Sequence, residues 1–291
     1  MIEAGLAYAL SSRRAADIVG AWPAWMTRIK RRLRTASGAT VALLLPLSLL
    51  VLWTVSAALE WLPPQILPAP TDVEHGLAEM WRSGDLLRHT GISLQRVVYG
   101  FGIGAIVGLA LGIAMGLSRT VEDYVRPLFT AFAQVPTLGW IPLLMLLVGI
   151  GEGLKILVIA KAAFVPMTLN SFAGIRGVPP AYGEVAALFR FNRWQLLHKV
   201  VLPGAIAPIF TGVRYGLTHA WMALVAVELL ASSEGLGYLL VWGRQMFWLD
   251  AVMIAMVMIG IVGFGLDKLM AVIERRLQRW RFADGTDAVR S

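Results

Sequence analysis

Long uncharged apolar runs alternate with short polar stretches along most of the chain. Thr35–Leu59 is 25 residues without a charge, Val97–Ser118 is 22 and Pro127–Gly151 is 25. Ile156–Ile175 and Ala205–Leu230 are nearly as apolar, and a sixth run follows Asp250 and ends near Ile273. Each reaches the ~20 residues that a helix needs to cross a bilayer. The pattern therefore predicts an all-α integral membrane protein with six transmembrane helices. The first run is too long for the core of a cleaved signal peptide, which is about 7–15 residues.

Charge adds an orientation. The chain has 26 Lys and Arg against 18 Asp and Glu, a net charge of +8 that alone would suggest nucleic acid. Its distribution argues for topology instead. Nineteen of the 26 basic residues fall in residues 1–34, in Arg119–Arg126, in the stretch around Pro179–Pro203 and from Asp267 onward; the opposite loops hold four. Basic residues accumulate on the cytoplasmic side, so both termini and Pro179–Pro203 are expected there. The expected organisation is a basic cytoplasmic arm over 1–34, a membrane domain over 35–273 and a cytoplasmic tail over 274–291. The sequence contains no Cys, which removes disulfides, thiol catalysis and thiolate metal sites.

Pro179–Pro203 is the polar interruption between the fourth and fifth spans. Two prolines open it, where a helix accepts them best, and Ala181–Phe189 reads as a helical run. Arg190-Phe191-Asn192 breaks the run, and Arg193–Val201 places Trp194, Leu197 and Val201 on one helical face. Pro203-Gly204 is expected to end that second helix. Two short helices joined by a turn make a rigid knob suited to docking.

The spacing resembles the loop shared by permease subunits of ABC importers: Glu-Ala-Ala, three residues, Gly, nine residues, Ile-x-Leu-Pro. Here Glu184-Val185-Ala186, Arg190 and Val200-Val201-Leu202-Pro203 keep every interval. The resemblance implies that Ala181–Val201 is the coupling helix pair seated in a groove of a separate ATPase subunit. Val185 is a mild departure. Arg190 is not, because glycine there would supply a left-handed turn residue at no steric cost. Either Asn192 takes that conformation or the turn is reshaped.

Further stretches resemble one branch of these permeases, the importers of nitrate, aliphatic sulfonates, taurine or bicarbonate. They are Pro136–Leu143, Gly149–Ile156, Gly212–Leu217 and Glu228–Tyr238, within a likeness covering about Arg96 to Arg281. The resemblance implies an inner-membrane permease that dimerises with a second copy of itself, takes solute from a periplasmic binding protein and is driven by a cytoplasmic ATPase dimer. Aliphatic sulfonate is the first choice of solute, from the loop Gly235–Asp250; nitrate, taurine and bicarbonate are alternatives. A self-contained carrier driven by an ion gradient is the competing class, and it would want acids in mid-span.

Within the spans, Gly100, Gly104, Gly108, Gly112 and Gly116 recur every fourth residue. Such a stripe lets two helix backbones approach closely, either within one subunit or as a sliding face against a neighbour or second copy. Lys161, Arg214, His219 and Glu228 are costly in hydrocarbon and mark a cavity or an internal pair. Pathway and structural pairing weigh evenly for Lys161 and Arg214. A structural role is favoured for His219 and Glu228, with Glu228 near enough to the outer end to reach water. Gln134–Thr137, Pro142, Pro166 and Asn170 suggest breaks or kinks. No Gly is followed by Lys, so no phosphate-binding loop of the Gly-Lys-Ser/Thr kind exists, and no catalytic or metal-ligand constellation stands out. This subunit is expected to be no enzyme and to hold no cofactor, with ATP and Mg used by the partner ATPase.

Overall fold

The computed structural model describes residues 38–63 and 66–277; the expected arm at 1–34 and the tail beyond Leu277 lie outside them. Among the described residues every regular element is helical. They divide into two compact units that part between Pro70 and Thr71.

The first unit is built on α1 (Gly38–Ala58), an apolar helix on which Leu44, Leu45, Leu47, Leu49, Leu50 and Leu52 are all exposed. Trp53 Nε1 donates to the Pro68 carbonyl at 3.0 Å.

The second unit begins with α2 (Pro70–Arg82) and the 33-residue α3 (Asp85–Leu117). At 1.5 Å per residue α3 is about 50 Å long, well beyond the ~30 Å hydrocarbon thickness. The apolar run from Val97 is thus only part of a helix that starts twelve residues earlier. Arg119–Arg126, the short polar stretch between the second and third apolar runs, is the start of an amphipathic helix, α4 (Arg119–Gln134). Ser118 caps it, Glu122 pairs with Arg126 four residues on at 2.9 Å, and Phe129 is buried on the same helix. Pro136 has no N–H and forces its predecessor out of helical geometry; Val135 is extended and the chain turns by 92°. A 3₁₀ turn (Thr137–Trp140) then leads into α5 (Ile141–Val148). The third expected span is therefore a bent pair.

After α5 come α6 (Glu152–Arg176), α7 (Pro180–Leu188) and α8 (Arg193–Leu196). A π turn (Leu197–Val201) carries α8 directly into α9 (Leu202–Ala231), followed by α10 (Leu236–Gln245) and α11 (Leu249–Leu277). Four stretches, containing α3, α6, α9 and α11, are long and apolar enough to cross a membrane, and the bent pair makes a fifth. Six spans result if the shorter apolar α1 is also counted, a number compatible with the helices described.

The centre is α3 against α6. All five stripe glycines are buried on this seam. A Cβ on Gly100 would come 2.6 Å from the Ile159 side chain, one on Gly108 2.8 Å from the Phe164 carbonyl, and one on Gly112 2.7 Å from the Thr168 carbonyl. Gly104 faces the Ala160 carbonyl and Gly116 the Ile175 side chain. The stripe is thus filled by α6 of the same chain along its whole length, leaving no room for a second copy there. Val98, Ile103, Ile106 and Val107, on the rest of α3, are exposed. That is the layout of a helix with lipid on one side and close-packed backbone on the other. Leu217, Ala220, Trp221 and Leu224 of α9 join Val97 and Ile159 in the main core, together with Leu236, Leu239, Ile254 and Ala255 of the last two helices.

Candidate functional site

Pro179 and Pro180 start α7, the missing N–H groups of proline costing nothing in a first turn. The helix ends with the Arg190 N–H on the Ala187 carbonyl and the Phe191 N–H on the Ala186 carbonyl, 2.9 and 3.1 Å. This crossed pair is a Schellman cap, whose turn residue must be left-handed. Arg190 is that residue, with φ +52°. Asn192 does not take over: it is extended and caps α8, accepting from the Gln195 N–H while the Gln195 side chain accepts from the Asn192 N–H. The turn keeps its glycine-type geometry with arginine bearing the strain.

The second helix does not end at Pro203. Proline has no N–H to offer the Lys199 carbonyl four residues back, and the chain answers with the π turn before running on into α9. The wider turn also breaks the expected face: Leu197 and Val201 are half-buried, but Trp194 is exposed and lies against His198 at 3.8 Å between ring centres, the rings tilted by 41°. Of the motif positions, Ala186 is buried, Val200 and Leu202 are half-buried, and Glu184, Val185 and Pro203 are exposed. Glu184 makes no hydrogen bond to its own turn. Val185, Ala186, Val200 and Pro203 line one groove together with Phe189, Phe191 and Lys199, and Lys199 lies over the Phe191 ring at 5.4 Å.

The intramembrane cations are dispersed. Arg214 on α9 makes a two-pronged pair with Asp267 of α11, 2.9 and 3.1 Å, with Glu274 at 3.5 Å. Lys161 on α6 donates to the Val135 carbonyl at 2.6 Å and to Thr137 Oγ1 at 3.4 Å, so it is tied to the bend of the third span. His219 is hydrogen-bonded to the Tyr215 carbonyl one turn back, 2.8 Å, and is exposed.

Residues 104–279 match the family described as the binding-protein-dependent transport system inner membrane component. The chain belongs to that family. It is a permease of ABC transporters, and its relatives are of the sulfonate, taurine and bicarbonate type. SsuC of Bacillus subtilis, a permease protein named for aliphatic sulfonates transport, is 38% identical over 82% of this chain and 87% of its own length. TauC of Escherichia coli, the taurine transport system permease protein, is 34% identical over 88% and 93%. CmpB of Synechococcus elongatus, the bicarbonate transport system permease protein, is 34% identical over 67% and 70%. A chain of the MetNI methionine ABC transporter, in an inward-facing form, superposes with a TM-score of 0.58 at 18% identity, covering 69% of this chain and 98% of that one. That likeness is one of fold.

The permease also carries a buried charge cluster, of which Glu228 was the member expected to sit in an internal pair. Arg96 on α3 sends Nε and Nη2 to the two Glu152 carboxylate oxygens, at 2.8 and 2.6 Å, and Nη1 to Glu228 at 2.7 Å. The same Nη1 lies 2.7 Å from the Glu234 carbonyl. Glu228 further accepts from Ser93 and from the Gly237 N–H, both at 2.9 Å. It is 1% exposed, so it does not reach water as its position near a span end suggested. The Gly235 and Leu236 N–H groups donate to His89 Nδ1 and Ser93 Oγ, each at 2.9 Å. Residues 234–236 are thereby stitched to α3, and Gly237 to Glu228 of α9. For its α3 members the available sequence signal was polar spacing on the first turns: His89, Ser93 and Arg96 recur at three to four residues.

Proposed function

We propose that this permease imports an aliphatic sulfonate or a related small anion as a dimer, powered by a cytoplasmic ATPase pair. The observation that carries the reading is the surface of Pro179–Pro203. Leu188, Phe189 and Trp194 are 84%, 70% and 68% exposed on a segment held between two helices long enough to cross a membrane. Apolar side chains on a braced, turn-capped polar segment suit a partner's groove better than open water. Glu184, Val185, Ala186, Arg190, Val200, Leu202 and Pro203 are the proposed coupling residues.

The π turn makes α8 and α9 one continuous rod, so motion of the ATPase groove passes straight into a membrane helix. ATP binding closes the ATPase pair, α7 and α8 move with it, and the pathway switches from inward- to outward-facing to receive solute from a periplasmic binding protein. ATP and Mg belong to the partner. The names of the relatives, for sulfonates, taurine and bicarbonate, support a small anion as solute, with sulfonate the first choice.

The test is uptake of labelled alkanesulfonate by proteoliposomes holding the permease, its ATPase and its binding protein. Uptake is expected only with ATP on the ATPase side. Uptake by the permease alone, or uptake driven by an ion gradient, sinks the reading. Because the chain contains no Cys, a single cysteine placed at His198 reports the side: labelling is expected from the cytoplasm only.

A further inference from the structure

Between Gly204 and Leu229 the exposed residues of α9 are Tyr215, Thr218, His219 and Met222. Spaced at i, i+3, i+4 and i+7, they share one face of the helix. They lie about 20 to 30 Å along a helix about 45 Å long, at 1.5 Å per residue. Other long helices are open differently at mid-length. The exposed side chains are Ile103, Ile106 and Val107 on α3, and Met256, Val257, Ile261 and Phe264 on α11.

Lipid suits those apolar faces, but a polar group set against it in mid-span is costly. Part of the α9 face is answered by its own backbone. Thr218 Oγ1 donates to the Arg214 carbonyl at 3.1 Å, and His219 Nδ1 lies 2.8 Å from the Tyr215 carbonyl. A carbonyl only accepts, so Nδ1 carries the proton and Nε2 is an open acceptor in the neutral ring. The Tyr215 hydroxyl makes no hydrogen bond among the described residues. One donor and one acceptor thus stand open at the middle of a membrane helix.

The polar track continues one turn back. The side chains of Arg214 and Asp267 are 41% and 43% exposed although they pair with each other, and Glu274 extends the pair toward the basic end of α11. A half-open ion pair at that depth calls for water, because hydrocarbon solvates neither partner. A dry contact would account for one polar patch but leaves a track running from mid-helix to a helix end without a purpose.

We infer that the Tyr215, Thr218, His219 and Met222 face of α9 lines the water-filled solute pathway, with Tyr215 and His219 meeting the anion in transit. The inference rests on the importer reading and names the residues that the solute touches inside the membrane domain. The Tyr215 hydroxyl donates to a sulfonate oxygen. Arg214, whose charge Asp267 already answers, adds no strong trap. A pathway needs that balance, since a site must be favourable enough to enter and weak enough to leave.

The experiment places single cysteines at Thr218, His219 and Ile106 of the full-length permease, which has none of its own, held with its ATPase in nanodiscs. The probe is sulfonatoethyl methanethiosulfonate, an alkanesulfonate that attacks thiolate; a thiol in apolar surroundings stays protonated and inert. Thr218→Cys and His219→Cys should react at least tenfold faster than Ile106→Cys, and excess ethanesulfonate should slow them at least twofold. Tyr215→Phe keeps the ring and loses the hydroxyl. It should cut maximal uptake at least threefold at an unchanged thermal midpoint. Reaction no faster than at Ile106 overturns the pathway; a disulfide between two copies on oxidation would then show the face to be a dry dimer contact. Absence of protection by ethanesulfonate, or unchanged uptake in Tyr215→Phe, overturns the solute contact. ATP-driven sulfonate uptake by the wild type beside an inert His219→Cys leaves the importer standing without this pathway. Fast, ethanesulfonate-protected labelling in a protein that never transports an anion supports the face and sinks the importer reading instead.

Discussion

Arg96 and Glu228 stand 132 residues apart in the chain and 2.7 Å apart in space, 3% and 1% exposed. Between them they hold three helices and the loop after α9 in one register. Breaking a buried pair by removing one partner costs about 3–5 kcal/mol, because the other charge is left unsatisfied. Arg96→Met should therefore cause a large fall in thermal midpoint in detergent, with loss of assembled protein. Arg96→Lys should rescue little, since an ammonium cannot fork between Glu152 and Glu228 as a guanidinium does. A midpoint near that of wild type in Arg96→Met would show the cluster to be dispensable.

The turn at Arg190 gives the opposite sign. A left-handed residue with a Cβ costs about 1–2 kcal/mol, and the Schellman cap needs that conformation whatever the side chain. Arg190→Gly should leave assembly intact and make the knob more stable, seen as slower hydrogen exchange across α7. If assembly with the ATPase is lost instead, the arginine side chain makes a partner contact of its own.

Two glycines on one helix should behave differently. Gly104 faces the Ala160 backbone carbonyl, whereas a Cβ on Gly102 would meet nothing within 4 Å. Gly104→Val should abolish stable folding, because backbone cannot step aside as a side-chain tip can. Gly102→Ala should be neutral or slightly stabilising, helix propensity favouring Ala by about 1 kcal/mol. Expression and chromatographic monodispersity of the two variants separate the cases.

Glu184 is exposed and unbonded within its own helix, so its carboxylate is free for a partner. Glu184→Ala should leave the permease in the membrane with an unchanged thermal midpoint and uncouple ATP hydrolysis from uptake. Normal ATP-driven uptake by the variant would remove Glu184 from the coupling set.

The sequence by itself determined the membrane class, the apolar runs around which the long helices form and the two-helix segment between the fourth and fifth spans. These follow from local rules: a run of about 20 apolar residues must be a helix in lipid, and capping and turn residues act on their neighbours. It reached the glycine stripe too, but not what covers it, since periodicity names a face and never its occupant. Only the tertiary structure decided that α6 fills the stripe, that Asp267 answers Arg214, and that Arg96 gathers Glu152 and Glu228. The same holds for Lys161, whose bonds to the Val135 carbonyl and Thr137 hydroxyl exist only because the chain bends between α4 and α5. Hydrophobicity is a property of each residue and can be summed along a chain. Charge pairing and hydrogen-bond satisfaction are properties of pairs, and those partners lie some 25 to 140 residues away.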